Sequence, residues 1–485
     1  MMRSLHRPAP LFVTLSLLLA LAASAETRSL LILHTNDIHD HVRPGSDGTG
    51  GLSHVAGCVA RERAKRGDIL LLDAGDVTEK GDMVAFATES RITYEAMGRM
   101  KYDAAVPGNH DFSRGMAHLD ANRALLGDAA FLCINCLDAS GRPHWDVSRV
   151  FEVNGLRVGV IGAVTETDKA KTLNLDATAD RIAEEAARLD QECHLLVVLA
   201  HLGVEDCRRV AGKAPSVDVF IAGHTHEMLR NPARAENGAI IVQTGSYAER
   251  LGRIDLSVDT ETRTAKLVEG GLVEMKHDTV PCDEDMLAWI RTEEQRVCPD
   301  AGRVVGKAEK TIGEVSMARI AAAALREKAD ADVGFCHPSQ IMRSPLPPGR
   351  VDVNALFLTG GQRGASLVKA KLTGRDIEAY LAGLYNGRKG VTAWSGFEAT
   401  VTASGVTGDL KPEQAYAVVM PELEWNTRFL KVWDKSAGEP PQAEPCAFAF
   451  IDALADYIAR AADEGKSVDQ LAASLGAQRT ARAGR

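Results

Sequence analysis

Long hydrophobic segments and an excess of basic residues are both missing from most of this 485-residue sequence. After residue 22, no segment has the roughly 18 uninterrupted apolar residues of a membrane-spanning helix. Lysine and arginine number 56 against 66 aspartate and glutamate residues, which gives a net charge of −10. This balance disfavours a protein that coats nucleic acid, because binding to a polyanion draws on clustered lysine and arginine. Small anionic substrates remain compatible with it, since a bound metal or a few arginines can reverse the local field.

The first 25 residues have the pattern of a secretory signal peptide. Arg3 and Arg7 form a basic start, residues 11–22 form an apolar core, and residues 23–25 (Ala-Ser-Ala) match an A-x-A cleavage site. This pattern predicts export to the periplasm or the extracellular space, with no stable membrane anchor after cleavage. The alternative, an uncleaved N-terminal anchor, is less compatible with so short an apolar run.

A second Cys-x-x-Cys pair is also missing, although the sequence contains nine cysteines. Because nine is odd, at least one cysteine of an exported chain stays free or pairs between chains. Cys133 and Cys136 have the spacing of a redox or zinc pair, but they lie in the apolar run Phe-Leu-Cys-Ile-Asn-Cys-Leu. We interpret this run as a buried strand whose cysteines act as small hydrophobic side chains.

Short apolar runs alternate with charged amphipathic stretches from residue 30 to about residue 273, which is the pattern of an α/β domain. Residues 283–297 have the pattern of a single helix that connects this domain to a second alternating region. In the second region strands outnumber helices, which indicates a mixed α/β domain. We therefore predict a signal peptide over 1–25, a layered domain over 26–280, a linker helix within 281–300 and a mixed α/β domain over 301–485.

Side chains that can bind metals occur in five clusters, and four of the five follow a predicted strand directly. Functional side chains of layered sheets gather where strands end and loops begin. His194 precedes a predicted strand whereas His201 follows it, so only His201 should reach the ligand end of the sheet. In chain order the clusters are Asp37 with His39, Asp76, Asn109 with His110 and Asp111, His201, and His224 with His226.

Taken singly, each of these residues has an ordinary alternative, since an isolated histidine is more often a surface or core residue than a ligand. Together, and without His110 and Asp111, they provide seven imidazole, carboxylate and amide donors at five ordered positions. Such a mixed set suits two divalent cations, and manganese, zinc, iron and cobalt all accept these donors. The pattern therefore predicts a dinuclear metal centre without specifying the metal.

The ordered motifs resemble the signature of the calcineurin-like metallophosphoesterases. The stretch LHTNDIH at residues 33–39, together with the large second domain, is similar to the secreted 5′-nucleotidase family. The resemblance implies an N-terminal αββα sandwich and a C-terminal domain that recognises the substrate. For the metal ligands it implies one ion at Asp37, His39 and His226, the other at Asn109, His201 and His224, and Asp76 bridging the two.

The reaction implied by this resemblance is hydrolysis of a phosphate ester. Two adjacent cations lower the pKa of a shared water, which gives hydroxide at neutral pH, and they neutralise the phosphoryl oxygens. His110 suits a cationic donor that stabilises the transition state or protonates the departing alkoxide. The family commonly has an aspartate three residues after this histidine, and here that position is Ser113. Asp111 is predicted to take part of its orienting role, and a residue from another loop is the alternative.

The resemblance of the C-terminal region is partial. Ile-Met-Arg at residues 341–343 is similar to the start of the family's substrate module, so Arg343 is the predicted anion contact. Arg363 lies about where the family has a Pro-Phe-Gly-Asn segment and is a second candidate. Several aromatic residues are candidates to stack on a nucleobase, although core packing is an ordinary alternative for each. They are Trp394 and Phe397 for one ring, and Trp425 or Phe429 for the other.

These inferences predict an exported phosphoesterase with two divalent metal ions that releases phosphate from nucleoside monophosphates. The expected partner is a small phosphorylated molecule, not a nucleic-acid polymer, and the sequence leaves the oligomeric state open. A second enzyme hypothesis keeps the metal centre but takes nucleotide-sugar or cyclic nucleotide diesters, or thiosulfate-type esters. A third hypothesis, based on Ser113, is a catalytically weak protein that binds nucleotides or metals.

Overall fold

A computed structural model describes residues 26–361, 364–385, 391–433 and 438–476, and the backbone of residues 479 and 480. The predicted signal peptide over residues 1–25 and the candidate Arg363 lie outside the described residues. Among the helices of the described ranges, none is long and apolar enough to cross a membrane.

Two six-stranded sheets form the N-terminal domain. Their strands are β1 Thr27–Thr35, β2 Ile69–Asp73, β3 Ala104–Ala105, β4 Ala130–Phe131, β5 Ser148–Val153, β6 Leu156–Val164, β7 Leu195–His201, β8 Val219–Ala222, β9 Ala233–Arg234, β10 Ile240–Val242, β11 Arg250–Asp259 and β12 Thr264–Glu274. The first sheet has the order β12-β11-β1-β2-β3-β4 and the second has the order β5-β6-β7-β8-β10-β9.

Helices cover the outer faces of both sheets. They are α1 Leu52–Lys65, α2 Met83–Ala87, α3 Arg91–Arg99, α4 Met116–Arg123, α5 Leu175–Leu189 and α6 Val204–Lys213, with short 3-10 helices at Asp111–Arg114 and Ala124–Leu126. Side chains such as Ile32 and Leu72 of the first sheet meet Val160 and Val197 of the second between the sheets. Helices α1 and α3 contribute to the core outside the first sheet, and α5 and α6 to the core outside the second. This helix, sheet, sheet, helix order confirms the predicted αββα sandwich.

Within each sheet, the strands that precede the candidate ligands are parallel neighbours. Strands β1, β2 and β3 are parallel, and so are β6, β7 and β8. All seven residues of β7 are buried, as expected for a parallel strand covered on both faces. Because parallel strands end at the same edge, the loops that follow them open on one edge of the sandwich.

Helix α7, Glu284–Val297, connects the two domains. The side chain of Asp283 accepts a hydrogen bond from the Met286 N–H at 2.8 Å, which caps the first turn. Met286 and Ile290 are buried in the core outside the first sheet. The helix therefore packs as part of the N-terminal domain and does not stand free as a spacer.

The C-terminal domain is mixed α/β, as predicted. Its strands are β13 Val304–Ala308, β14 Val333–Cys336, β15 Gly349–Asp352, β16 Leu367–Thr373, β17 Ala393–Ser395, β18 Ala399–Thr402, β19 Gly405–Gly408, β20 Ala415–Pro421, β21 Ala443–Pro445 and β22 Arg479–Thr480. Its helices are α8 Glu314–Lys328, α9 Val353–Leu356, α10 Gly374–Leu384, α11 Glu422–Glu424, α12 Leu430–Val432, α13 Phe450–Asp463 and α14 Val468–Ser474, with π-helical turns at Phe357–Gly361 and Trp425–Phe429. The main sheet has the order β17-β14-β20-β16-β21.

Polar contacts join the two domains beside the loop that follows β2. Arg43 pairs with Asp352 at 2.9 Å. The side-chain amide of Asn354 donates to Asp82 at 2.7 Å, and its oxygen accepts the Met83 N–H at 2.8 Å. One ion pair and the two hydrogen bonds of Asn354 therefore attach the start of α9 to the N-terminal domain.

Candidate metal centre and active site

The candidate ligands lie in short loops directly after the parallel strands. Asp37 and His39 follow β1, Asp76 follows β2, and His224 follows β8, while His201 is the last residue of β7. The ligands in the loops, Asp37, His39, Asp76, His224 and His226, have φ between +49° and +83°. This left-handed conformation costs a non-glycine residue about 1–3 kcal/mol and is concentrated at functional sites. It lets side chains that would face apart in an extended strand converge.

Asp37, His39 and His226 form the first group of candidate ligands. Their metal-binding atoms lie within 4.8 Å of one another. The Nε2 atom of His226 is 3.2 Å from Asp37 Oδ1 and 3.1 Å from His39 Nε2. Asp37 and His39 are both fully buried. The loop after β1 therefore contributes two donors, and the loop after β8 contributes His226, to one small enclosed space.

Asp76, His201 and His224 form the second group. His201 Nε2 is 3.2 Å from Asp76 Oδ2, and the same carboxylate oxygen is 3.7 Å from His39 of the first group. The side-chain oxygen of Asn109 is 2.9 Å from His224 Nδ1, which places the predicted amide ligand in this group. Asp76 therefore lies between the two groups, in the position that a bridging carboxylate requires. His194, at the opposite end of β7, accepts the Arg157 N–H and belongs to neither group, as the strand argument predicts.

Backbone carbonyl groups fix the orientation of the two most buried imidazoles. His39 Nδ1 lies 3.0 Å from the Thr78 carbonyl oxygen, and His201 Nδ1 lies 2.7 Å from the Ala74 carbonyl oxygen. A carbonyl oxygen only accepts, so in each ring Nδ1 carries the proton and donates it. Nε2 is then the ring atom that faces the carboxylates. Metal-binding histidines are commonly held in this way.

The charges of the site favour a bound cation. Burial would raise the pKa of the Asp76 carboxyl, but the neighbouring imidazoles of His201 and His39 hold it well below its usual range. Burial would lower the pKa of His201, but the charges of Asp76 and Asp37 raise it to about 10. His201 Nε2 is buried and lies 3.2 Å from Asp76 Oδ2, outside the angles of a hydrogen bond. Buried carboxylates beside such a nitrogen fit divalent metal ions of the kind that accept mixed nitrogen and oxygen donors.

Two glycines of the motifs are required by the close approach of neighbouring loops. A Cβ atom on Gly108 would lie 2.1 Å from Asp76 Oδ1 and 2.3 Å from the Asp76 nitrogen. Gly75 has φ +85°, and a Cβ there would lie 2.7 Å from the Gly108 nitrogen. The Gly-Asp and Gly-Asn-His-Asp motifs thus pack against each other with no room for a side chain on either glycine.

Glu79 is the partner of the His110 ring, and no sequence motif pointed to it. His110 Nδ1 makes a short hydrogen bond with the Glu79 carboxylate. Burial would raise the pKa of Glu79, but hydrogen bonds with His110 and Ser113 lower it to about 2. The loop that carries Glu79 is held by the buried Asp40, whose carboxylate accepts the Glu79 N–H at 2.8 Å. The residue that contacts the His110 ring is therefore Glu79, from another loop. This is the alternative that the sequence analysis gave to Asp111.

Asp111 and Ser113 serve other contacts. The buried Asp111 carboxylate accepts the N–H groups of Gly108, Thr78 and Asp76 at 2.7, 3.0 and 3.1 Å. These bonds fix the backbone around the ligands, and no hydrogen bond to the His110 ring is among its contacts in the described part of the chain. Ser113 accepts a hydrogen bond from Lys169 Nζ at 2.6 Å. An acidic residue at position 113 would therefore stand beside Glu79, where a carboxylate is already present.

Replacing Ser113 by aspartate should slow hydrolysis of a nucleoside monophosphate by about two- to tenfold. Like charges near a partly exposed surface repel by about 1 kcal/mol, and the added charge would face both Glu79 and an anionic substrate. The Ser113→Asn variant is the matched control, because it adds a similar volume without charge and should stay near the wild-type rate. Steady-state rates for the three proteins decide the question. A faster Ser113→Asp enzyme would mean that His110 lacks an effective carboxylate partner.

Cationic and aromatic side chains surround the first ligand group. Lys80 Nζ lies 3.4 Å from His39 Nε2, and the ring of Tyr247 lies 5.7 Å from that of His226. Burial lowers the pKa of Lys80, and the positive charge of Arg343 lowers it further. The same charge opposes the rise that burial gives the pKa of Tyr247. The charge of Arg343, from the C-terminal domain, therefore reaches two side chains beside the first group of candidate ligands. Neither Lys80 nor Tyr247 belongs to a motif that sequence reasoning could find.

The predicted stacking residues pack against one another. The rings of Trp394 and Phe397 are stacked at 5.9 Å, and those of Trp425 and Phe429 at 4.3 Å. Phe335 lies edge-on to Phe397, within the same hydrophobic cluster. Trp394, Trp425 and Phe429 are buried. In this structure all four candidates belong to the aromatic core of the C-terminal domain, and a clamp on a nucleobase stays a prediction.

Residues 30–228 match the model of the calcineurin-like phosphoesterase family. Protein 5NUC of Lutzomyia longipalpis is 27% identical over 340 residues, covering 61% of this chain and 58% of that protein. The snake venom 5′-nucleotidase of Crotalus adamanteus is 30% identical over 235 residues, covering 43% of this chain and 39% of the relative. The chain thus spans less than two thirds of the length of either relative.

Solved structures share the whole two-domain architecture. A 5′-nucleotidase precursor of Thermus thermophilus superposes with a TM-score of 0.63 at 20% identity, over 89% of this chain and 96% of that one. The sulfate thiohydrolase SoxB of Thermus thermophilus superposes with a TM-score of 0.61 at 15% identity, over 89% and 94%. At these identities the likeness establishes the fold alone, and the same fold carries two different activities.

Proposed function

Since the chain belongs to the calcineurin-like metallophosphoesterases of the 5′-nucleotidase family, we propose that it is an exported enzyme that hydrolyses nucleoside monophosphates. The observation that carries this proposal is the placement of Asp76 within reach of both His39 and His201, which belong to different groups of candidate ligands. The N-terminal signal pattern supports export. The name of the snake venom relative supports a nucleotide as substrate.

Asp37, His39 and His226 would hold one divalent ion, Asn109, His201 and His224 the other, and Asp76 would contact both. Such ions supply a nucleophile at neutral pH and neutralise phosphoryl oxygens. The protein contributes the fixed geometry, because the imidazole tautomers are set by backbone carbonyls and the loops are locked by Asp111. Preorganised donors of this kind need no rearrangement during the reaction.

His110 would donate a proton to the leaving oxygen of the ester. Its ring lies 5.0 Å from the ring of His39, so it borders the proposed reaction centre. Glu79 engages Nδ1, which leaves Nε2 to face the substrate. A general acid must lie within hydrogen-bond reach of the leaving oxygen, and the contact with Glu79 holds the ring in one orientation.

Arg343 would bind the phosphate or ribose side of the substrate from the C-terminal domain. Its side chain is exposed and, within the described ranges, no carboxylate forms an ion pair with it. Lys80 would provide a second positive charge beside the first ligand group. Arg343 and Lys80 together would offset the negative charge of the chain around the first ligand group.

Replacing Arg343 by alanine should raise the KM for a nucleoside monophosphate by about 10- to 100-fold and change kcat much less. A hydrogen bond to a charged group contributes about 1.5–3 kcal/mol, and this contact is present before and during the reaction. Arg343→Lys should recover part of the loss, because the charge remains but the planar fork is gone. Arg375→Ala, another exposed arginine of the same domain, is the control. An unchanged KM in Arg343→Ala would exclude this contact.

The proposed function is tested by phosphate release from a panel of substrates. The mature chain, loaded with manganese, zinc, iron or cobalt in turn, is given nucleoside monophosphates, cyclic nucleotides, a nucleotide sugar and a thiosulfate ester. We expect the highest kcat/KM on a nucleoside monophosphate. Preference for a diester or for the thiosulfate ester would overturn the substrate assignment, and no turnover with any metal would overturn the enzymatic one.

A further inference from the structure

A third group of metal-binding side chains lies apart from the centre described above. It consists of His54 on α1 together with His277 and Cys282, which lie in the connection from β12 to α7. One donor atom from each residue lies within 4.8 Å of the others. No residue of this group is among the ligands assigned to the proposed function, so its role is still open.

His54 is prepared to act as a ligand. Its side chain is buried, with 1% of its surface exposed, and Nδ1 lies 2.8 Å from the Gly50 carbonyl oxygen. The carbonyl accepts, so Nδ1 carries the proton and Nε2 has a lone pair. Nε2 is itself buried and has no hydrogen-bond partner in the described ranges. A buried polar atom without a partner costs about 1–3 kcal/mol, which a metal bond would offset.

The other two side chains are accessible from solvent. His277 is exposed and Cys282 is half-buried with a free thiol. The ring of His277 lies 6.3 Å from that of His54 at an angle of 74°. The segment is tied to α1 because the Asp283 N–H donates to the Ser53 carbonyl oxygen at 2.9 Å. One buried and two accessible donors give an ion both a fixed ligand and an entry path.

We propose that His54, His277 and Cys282 form a binding site for a borderline-soft divalent metal ion such as Zn²⁺. Two imidazoles and one thiolate are typical zinc donors, and ligand atoms around tetrahedral zinc lie about 3.3–3.7 Å apart. The observed spread of up to 4.8 Å is closed by small rotations of the accessible His277 and Cys282. On binding, Cys282 releases its thiol proton to solvent and a water takes the fourth position. The ion would tie α1 to the segment that leads into α7.

Sulfur distinguishes this site from the proposed catalytic centre. The two groups around Asp76 contain only nitrogen and oxygen donors, whereas this group contains a thiol. A cobalt ion bound by a thiolate has a sulfur-to-metal charge-transfer band in the near ultraviolet, and a cobalt ion bound by nitrogen and oxygen does not. The band therefore reports on the third group even when every other site is filled, and it is independent of activity.

The experiment titrates the full mature chain with Co²⁺ and follows this band, then adds Zn²⁺ to displace it. We expect one thiolate-bound Co²⁺ per wild-type chain, loss of the band in Cys282→Ser, and a higher Co²⁺ requirement in His277→Ala. Zinc bound per chain should fall by one in Cys282→Ser, with hydrolysis of phosphate esters unchanged. Cys298→Ser, another half-buried free cysteine at the far end of α7, should keep the band.

Three outcomes would overturn the proposal: no charge-transfer band in the wild type, a band that survives in Cys282→Ser, or a band that disappears in Cys298→Ser. Circular dichroism of each variant tests whether its fold is intact. His277 is exposed, so His277→Ala provides a second variant in case Cys282→Ser does not fold. Failure of the phosphoesterase assay leaves these outcomes unchanged, because the band does not depend on turnover.

Discussion

The Asp76→Asn variant should fold and lose at least about 10³-fold in turnover. In the wild type, Asp76 Oδ1 accepts the backbone N–H of His110 at 2.8 Å. The side-chain oxygen of asparagine can accept the same N–H, so the loop retains this hydrogen bond. The negative charge between the two ligand groups is lost. Metal centres contribute several kcal/mol of transition-state stabilisation, and each 1.36 kcal/mol is a tenfold change in rate. Initial rates and metal content measured on one sample give the result.

Two histidines at opposite ends of β7 provide the controls for this prediction. His201→Ala should lower the metal content by one ion per chain, because His201 belongs to the second ligand group. His194→Ala should leave both metal content and rate unchanged, since His194 directly precedes β7 and lies at the end of the strand away from His201. A wild-type rate in Asp76→Asn with full metal content would remove Asp76 from the catalytic centre.

His110→Ala should retain both metal ions and slow the reaction by about 10²–10⁴-fold, the usual contribution of one general acid or base. The loss should be larger on a nucleoside monophosphate than on p-nitrophenyl phosphate, because nitrophenolate leaves without needing a proton. Glu79→Gln keeps a hydrogen-bond acceptor for Nδ1 but removes the charge, and we expect a loss of about tenfold. Rates on both substrates and metal analysis test this directly.

The double variant separates a positioning role of Glu79 from an independent one. If Glu79 acts only through the His110 ring, adding Glu79→Gln to His110→Ala should cause no further loss. If Glu79→Gln instead causes the same loss of rate in the wild-type protein and in the His110→Ala variant, Glu79 acts independently of His110. Parallel loss of metal and activity in His110→Ala would show that His110 is a ligand.

The sandwich and the grouping of the ligands were predictable because both depend on strands. Apolar runs such as β7 are long and uniformly buried, and β1 and β2 are parallel neighbours, so Asp37 and Asp76 follow their strands at the same edge of the first sheet. The roles that we assign to these residues stay predictions until they are measured. What the structure adds is the distances that bring them together.

Glu79 could not be found in this way. It lies in a polar loop whose sequence is typical of a solvated surface, and it faces His110 only because the loop is folded back. Glu79 and Lys80 have φ of 71° and 73°, and Asp40 holds the Glu79 N–H. Sequence patterns report periodicity, and a loop held by a buried carboxylate from another segment has none.

The aromatic candidates show the opposite difficulty. Trp394 and Phe397 are three residues apart, and the family resemblance made them candidates to stack on a nucleobase. The same residues pack in the core of the domain, where Phe335 lies edge-on to Phe397 and Tyr380 lies edge-on to Phe335. Sequence cannot distinguish an aromatic ring that packs against protein from one that packs against a ligand.

The carbonyl groups of Ala74 and Thr78 have a consequence for mutational scanning of this chain. Each accepts a hydrogen bond from the imidazole of a candidate ligand, and neither does so through its side chain. Ala74 is fully buried in the core between the sheets and Thr78 is buried as well, so a substitution at either position would change packing without removing the carbonyl group. The protonation pattern of the two imidazoles therefore depends on the path of the main chain. Only a change in that path, such as an insertion between residues 73 and 79, would expose how much the centre depends on them.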